Sequence, residues 1–176
     1  MRGVIVYKGK YGATHQYAQW LSNELQVPVL APESLTAGNL PLYDLVIVGS
    51  SVYMGSLLIK KWLRKYAAIL QNKKVFLFIV CATPPKETEK LDVIAKNNIP
   101  VMLNHSPVYF LHGRMILNKL SWMDRFMIKM GARLEKDPLV KKEMLQDFDA
   151  VKKENITALV SAVKNLMADK KAILSP

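Results

Sequence analysis

With 176 residues and 51% hydrophobic content, the chain is sized for one domain with a sizeable core, spanning residues 1–176. Its 25 Lys and Arg against 14 Asp and Glu give a formal charge of +11, which favours acidic lipid, an acidic protein or an acidic substrate as partner; no zinc-finger spacing, RNP-type aromatic run or basic heptad arm points to nucleic acid. A lone Cys81 excludes an internal disulfide and fits a reducing, cytoplasmic setting, and the longest apolar run, residues 75–82, falls far short of the ~20 residues of a spanning helix.

In chain order, residues 3–7 form a β-branched strand that opens the chain where a signal pattern would stand. A helix over 13–25 follows, with Ala18, Leu21 and Leu25 on one face. Residues 27–31 are a short strand suited to an edge, because Pro28 lacks an N–H. After a Pro- and Gly-bearing connection, 45–49 is a buried strand and 50–55 a loop. A helix over 56–70 carries Ile59, Leu63, Tyr66 and Leu70 about a turn apart. Residues 74–82 are the most apolar strand and belong at the centre of the sheet. Beyond the Thr83-Pro84-Pro85 stop come a helix over 87–96, strand-like segments at 99–103 and 108–112, and helices over 120–134 and 148–167. The last has Val151, Leu159, Val163 and Leu166 as its core stripe, and residues 168–176 read as a loose tail.

Strands alternating with helices predict a parallel sheet covered on both faces. Ligands of such sheets bind beyond the carboxyl ends of the strands, at the topological switch point. Three loops meet there: 8–14, 50–55 and 82–87.

The first loop runs Gly9-Lys10-Tyr11-Gly12-Ala13-Thr14 between a strand and a helix. Free N–H groups and the helix dipole at that N-terminus suit a phosphate, small residues let it approach, and the Thr14 hydroxyl can donate to it. The spacing is neither G-x-G-x-x-G nor G-x-x-x-x-G-K-[ST]. The second loop, Ser50-Ser51-Val52-Tyr53-Met54-Gly55, offers small polar donors. Its Tyr53 ring is placed either for a planar ligand or for packing on the next helix. The third, Cys81-Ala82-Thr83, can present backbone groups to a ring edge. Cys81 itself reads as a small buried hydrophobe. His15, His105 and His112 are too few and scattered for a metal site. Asp44 and Asp124 read as turn or salt-bridge residues.

On these residues the chain resembles the flavodoxins. Their phosphate loop is Ser/Thr-x-Thr-Gly-x-Thr. Gly12 and Thr14 match it, while Gly9 and Tyr11 stand where the first two hydroxyl residues would be. The segment from Gly49 to Gly55 is similar to the flavodoxin loop that stacks an aromatic on the isoalloxazine ring. The resemblance implies a flavodoxin-like α/β three-layer sandwich with a five-stranded parallel sheet, order 2-1-3-4-5, binding FMN. Residues 9–14, 50–55 and 81–83 would form the cofactor site.

A second resemblance lies in Trp122-Met123-Asp124-Arg125-Phe126-Met127-Ile128-Lys129. It is similar to a run in the inserted stretch of the flavodoxin-like, menaquinone-dependent protoporphyrinogen oxidases. This implies an insertion at about 113–147 and an FMN enzyme of haem biosynthesis that takes a porphyrinogen and a quinone-like acceptor. Candidate substrate contacts are then His112, Arg114, Trp122, Arg125 and Lys129; no catalytic side chain is demanded, since the flavin itself accepts hydride or electrons. At helical spacing Met123, Met127, Met130 and Leu134 share one face, with Arg125, Lys129, Arg133 and Lys136 on another. Such a helix suits either an anionic membrane surface, peripheral on the inner face, or a flat acidic ligand; its methionines equally suit packing on the sheet. The alternatives are a flavodoxin-type electron carrier that docks a redox protein, and a non-enzymatic remnant of the fold that binds acidic partners.

Overall fold

The computed structural model describes residues 1–84 and 86–174, the last five as backbone only. In chain order the elements are β1 Gly3–Lys8, α1 Ala13–Leu25, β2 Val29–Leu30, β3 Leu45–Tyr53, β4 Ser56–Leu57, α2 Lys60–Leu70, β5 Lys74–Cys81 and α3 Thr88–Asn98. There follow β6 Val108–His112, β7 Arg114–Met115, α4 Trp122–Leu134, α5 Pro138–Met144, β8 Phe148–Asp149 and α6 Thr157–Leu174.

The sheet is set by alternation. In β1, β3 and β5, Ile5, Ile47, Phe76 and Phe78 face one side with α1 and α6. Val4, Val6, Val46, Val48, Leu77 and Ile79 face the other with α2. Successive side chains of a strand point to opposite faces, so strands apolar at every position build two cores. The order is β2-β1-β3-β5-β6, each neighbouring pair parallel. This is the expected five-stranded order 2-1-3-4-5, with the labels displaced by β4, a two-residue strand antiparallel to β3. At the centre, Gly49 lies opposite Phe78. A Cβ on it would fall 2.1 Å from that ring, so the glycine gives the phenyl group its room.

Several expectations are corrected. The third strand does not stop at Gly49 but runs to Tyr53, because β4 folds back on it and pairs Val52 with Leu57. Of the expected 50–55 loop only Met54 and Gly55 form the turn, at φ 51° and 72°. That hairpin uses Ser56 and Leu57, so α2 begins at Lys60 rather than at 56. Residues 99–103 are no strand: Pro100 leads into a 3₁₀ turn, Val101–Leu103. The last helix starts at Thr157 rather than 148, because Phe148 pairs across β8 with Met115 of β7. It continues to Leu174, so the expected loose tail is helical over 168–174; residues 175–176, like Pro85 of the third loop, lie outside the described residues.

After β6 the chain leaves the sheet. β7, α4, α5 and β8 form an excursion over its carboxyl edge before α6 returns. Arg114 ties this excursion back: its guanidinium donates to Asp149 Oδ2 at 2.7 Å and to Gln16 Oε1 of α1 at 2.9 Å.

Candidate functional site

The three parallel strands β1, β3 and β5 end side by side, and a cavity of about 360 Å³ opens beyond their carboxyl ends. That lies within the ~300–1,000 Å³ range of small-molecule sites. Lys10, Tyr11, Ala13 and Thr14 line it from the first loop. Ser51, Val52, Tyr53 and Met54 line it from the end of β3, and Cys81 and Ala82 from the end of β5. Arg114 also reaches it, and the outer wall is formed by Asp124, Met127 and Ile128 of α4 with Leu120 just before that helix.

The phosphate end is built by backbone. Gly12 caps α1 with φ 85°, a left-handed conformation natural to glycine, and no side chain caps the helix. The first N–H groups of α1 are therefore free for an anion, with the helix dipole behind them. Thr14 is buried at this end. Its side chain lies so close to Gly9 that a Cβ there would sit 2.8 Å from Thr14 Oγ1. Glycine at position 9, where the flavodoxin pattern has a hydroxyl residue, is thus what lets Thr14 pack inward.

At the other end, the Ser51 hydroxyl is buried without a protein partner and borders the cavity. A buried hydroxyl left without a bond is costly, so a ligand group that bonds it is favoured. Burial pushes the Cys81 thiol up, and its Sγ donates to the Thr83 carbonyl. A neutral thiol suits the small apolar wall expected of it.

Asp124 takes the salt-bridge role expected of it, with Lys10 of the first loop as its partner. Its carboxylate is only 5% exposed. Oδ2 accepts from Lys10 Nζ at 2.6 Å and from the Tyr11 hydroxyl; Oδ1 accepts from the Tyr53 hydroxyl at 2.6 Å. Burial works to raise its pKa, but the bonds from Lys10, Tyr11 and Tyr53 together outweigh burial and hold it at about 2. Lys10 is correspondingly held well above the usual lysine range by the same bond. The Lys10 ammonium also lies 4.0 Å above the centre of the Tyr53 ring, so one face of that ring is covered by a cation. The salt-bridge role foreseen for Asp124 is present, but its partners are the cofactor loops. The signal was available: Leu120, Asp124, Met127 and Ile128 recur at i, i+4, i+7 and i+8, the spacing of one helix face.

That stripe displaces the expected methionine face. Of Met123, Met127, Met130 and Leu134 only Met127 lines the cavity; the other three are exposed. The remaining expected residues fall nearby but off the cavity lining. Ser50 is buried, accepting from Ile59 N–H, and the Gly55 carbonyl accepts from Asn98. His112 shares a 3.1 Å hydrogen bond with the Ala82 carbonyl and leans on Phe148. Trp122, 81% exposed, and Lys129 point to solvent. Arg125 is spent on the carbonyls of Leu117 and Asn118. Of the expected substrate contacts Arg114 lines the cavity, whereas His112, Trp122, Arg125 and Lys129 do not; Leu120, Met127 and Ile128 line it on that side. Met115, Gly113 and Met144 also border the cavity and carried no signal of their own. Among the described residues no group of His, Cys, Asp or Glu could hold a metal, and no helix is long and apolar enough to cross a membrane.

A doubly covered parallel sheet, with a free helix N-terminus and an aromatic-edged cavity at its switch point, defines a protein that binds a phosphorylated, planar cofactor. The chain belongs to the flavodoxin domain family, whose model matches residues 4–141, and its cofactor is FMN. The site fits that group: the free α1 N-terminus and Thr14 for the phosphate, the unpartnered Ser51 hydroxyl and the apolar cavity for the ring. Solved structures with a similar fold include the Trp repressor binding protein from Bacillus subtilis, 12% identical over 64% of this chain and 85% of that one, TM-score 0.49. Flavodoxin from Megasphaera elsdenii is 17% identical over 61% and 82%, TM-score 0.46. Rubredoxin oxygen:oxidoreductase from Desulfovibrio gigas is 16% identical over 82% of this chain, TM-score 0.45, and the chain spans only 37% of its length. No curated protein matches the chain.

Proposed function

We propose that the chain is an FMN-dependent oxidoreductase that dehydrogenates a flat, apolar, carboxylate-bearing substrate of the porphyrinogen class and passes the electrons to a quinone-like acceptor at an anionic membrane surface. The observation that carries this reading is the wall made by α4. With Leu120 just before it, the helix closes the cavity with Met127 and Ile128, and turns Phe126, Leu134 and Trp122 outward. α5 continues that outer surface with Leu139 and Val140, among exposed Lys129, Arg133, Lys136, Lys141 and Lys142. An apolar face ringed by cations suits the headgroup boundary of anionic lipid, where lipid-soluble reactants are concentrated.

When bound, FMN supplies hydride acceptance. The chain holds the phosphate at α1, keeps water from the ring with Met127, Ile128 and Leu120, and offers the Arg114 guanidinium at the rim to a substrate carboxylate. In the overall exchange the substrate loses a hydride and a proton across the C–H or N–H bonds that become unsaturated, and the quinone gains them as quinol. The test is anaerobic: purified, FMN-loaded protein, protoporphyrinogen and a soluble quinone, followed by porphyrin fluorescence. Quinone-dependent porphyrin formation above the protein-free rate is expected. No acceleration, together with rapid electron exchange with an acidic redox protein, would replace this reading by that of an electron carrier.

A further inference from the structure

The two loop residues that depart most from a plain phosphate loop, Lys10 and Tyr11, do not point at the free end of α1. Both end on Asp124 of α4, as does Tyr53 at the end of β3. Among the described residues, every hydrogen bond between α4 and these cofactor loops ends on Asp124, and the cap just before the helix adds Ser121 N–H to the Tyr11 hydroxyl at 3.3 Å. Asp124 is not needed to start its own helix, because Ser121 caps α4 by accepting from Asp124 N–H. Its carboxylate is instead buried against two loops distant in sequence. The rest of α4 is little buried: within it only Asp124 and Ala132 are buried.

We infer that Asp124 is a positioning residue: it latches α4 onto the first and second cofactor loops, fixing both the outer wall of the FMN cavity and the orientation of the Tyr53 ring. With the latch closed, Lys10 covers one face of Tyr53, so a flavin ring can stack only on the other. Opening it frees α4 with Met127 and Ile128 and uncovers the ring. This inference rests on FMN filling the cavity and not on the identity of the substrate.

The experiment is hydrogen exchange of residues 120–134 in the full chain, without FMN and with it, in wild type, Asp124→Asn and the double variant Tyr11→Phe/Tyr53→Phe. The FMN dissociation rate is read from the recovery of flavin fluorescence. Asn keeps the shape but gives up the charge that Lys10 and the phenols address. Loss of hydrogen bonds to a charged group is worth at least about tenfold in an opening equilibrium. Exchange of 120–134 should therefore rise by about tenfold in both variants, with β1 and β5 unchanged, and FMN should leave faster by a similar factor. The double variant keeps the test decisive if Asp124→Asn does not fold. Unchanged exchange in the variants would overturn the latch and leave α4 held by apolar packing. Faster exchange with an unchanged FMN dissociation rate would overturn the positioning role. A wild-type protein that binds no FMN would refute the cofactor reading, while the exchange of the FMN-free protein would still report the latch.

Discussion

The sandwich and the excursion over residues 113–149 are built by opposite means. In the sandwich, β5 is buried from Val75 to Cys81, and both faces of the sheet are sealed by helices. In the excursion, α4 buries only Asp124 and Ala132, and α5 buries nothing. Area removed from water holds the first; a buried ion pair with its hydrogen bonds, and modest apolar contact, hold the second. The first therefore depends little on any single polar contact. The second is tied through few polar contacts, Arg114 to Gln16 at its base and Asp124 to Lys10, Tyr11 and Tyr53 beside the cofactor site.

The largest expected effect separates the two at the shared cavity. Thr14→Glu places a carboxylate at the N-terminus of α1, where the FMN phosphate is held. FMN binding should be lost, by more than about 100-fold in equilibrium dialysis, with the chain still folded by circular dichroism. Retained binding would move the phosphate elsewhere. Next comes a pair of identical substitutions, one in each region. Phe78 is fully buried and Phe126 is 58% exposed. Phe78→Ala should cost about 3–5 kcal/mol in urea unfolding. Phe126→Ala should change stability by less than about 0.5 kcal/mol. Equal losses would erase the distinction between core and excursion.

Tyr53 lies where the two regions meet, and Tyr53→Ala should weaken FMN by about 1–3 kcal/mol, on the scale of base–aromatic stacking. The flavin absorption band should shift with it. An unchanged affinity and spectrum would confine Tyr53 to the Asp124 latch.

Within the excursion the pH dependence falls on Asp124, whereas in the sandwich it falls on the exposed Glu24, held below the usual carboxylate range by Lys153 and Lys164. The Asp124 carboxyl sits at about 2, below its ordinary 3.8. A depressed pKa contributes stability that is complete above the ordinary value and is lost as pH falls through the depressed one. Protection of 120–134 should thus be flat above about pH 4 and fall between about pH 4 and 2. The same window should be featureless in Asp124→Asn. A parallel decline in the variant would assign the effect to other carboxylates.

What could be read beforehand divides along the same line. The strands of the sandwich announce themselves, because Val4–Ile5–Val6 and Val75–Phe76–Leu77 are apolar at every position, and the helices between them carry buried stripes such as Ile59, Leu63 and Tyr66. The three ligand loops followed from the parallel order alone. What was missed depends on contacts distant in sequence. β4 turns back on β3 through a two-residue turn, and β8 pairs with β7 across the whole excursion; neither is long enough to show a period. α4 was legible as a helix but not in its orientation, because both of its faces carry apolar residues. The polar residue decided it: an aspartate in an otherwise apolar stripe needs donors, and these stood at Lys10, Tyr11 and Tyr53.

The smallest expected effect tests what the outer face of α4 meets. Arg125 is unsuitable, since its guanidinium holds the Leu117 and Asn118 carbonyls and its loss would disturb the turn before α4. Lys129 and Arg133 are exposed on the helix and serve better. Each basic residue near an anionic surface contributes ~1 kcal/mol, so Lys129→Glu/Arg133→Glu should weaken co-sedimentation with phosphatidylserine vesicles by roughly tenfold or more at 0.1 M salt. At 1 M salt, where the Debye length falls to ~3 Å, wild type and variant should converge. FMN content should be unaltered in the variant, because neither side chain lines the cavity. If binding depends instead on the apolar crown of Trp122 and Phe126, Trp122→Ser/Phe126→Ser will release the protein at both salt concentrations while the charge variant does not. Sedimentation unaffected by either pair would remove the membrane from the proposed function and leave the charge of +11 to an acidic protein partner.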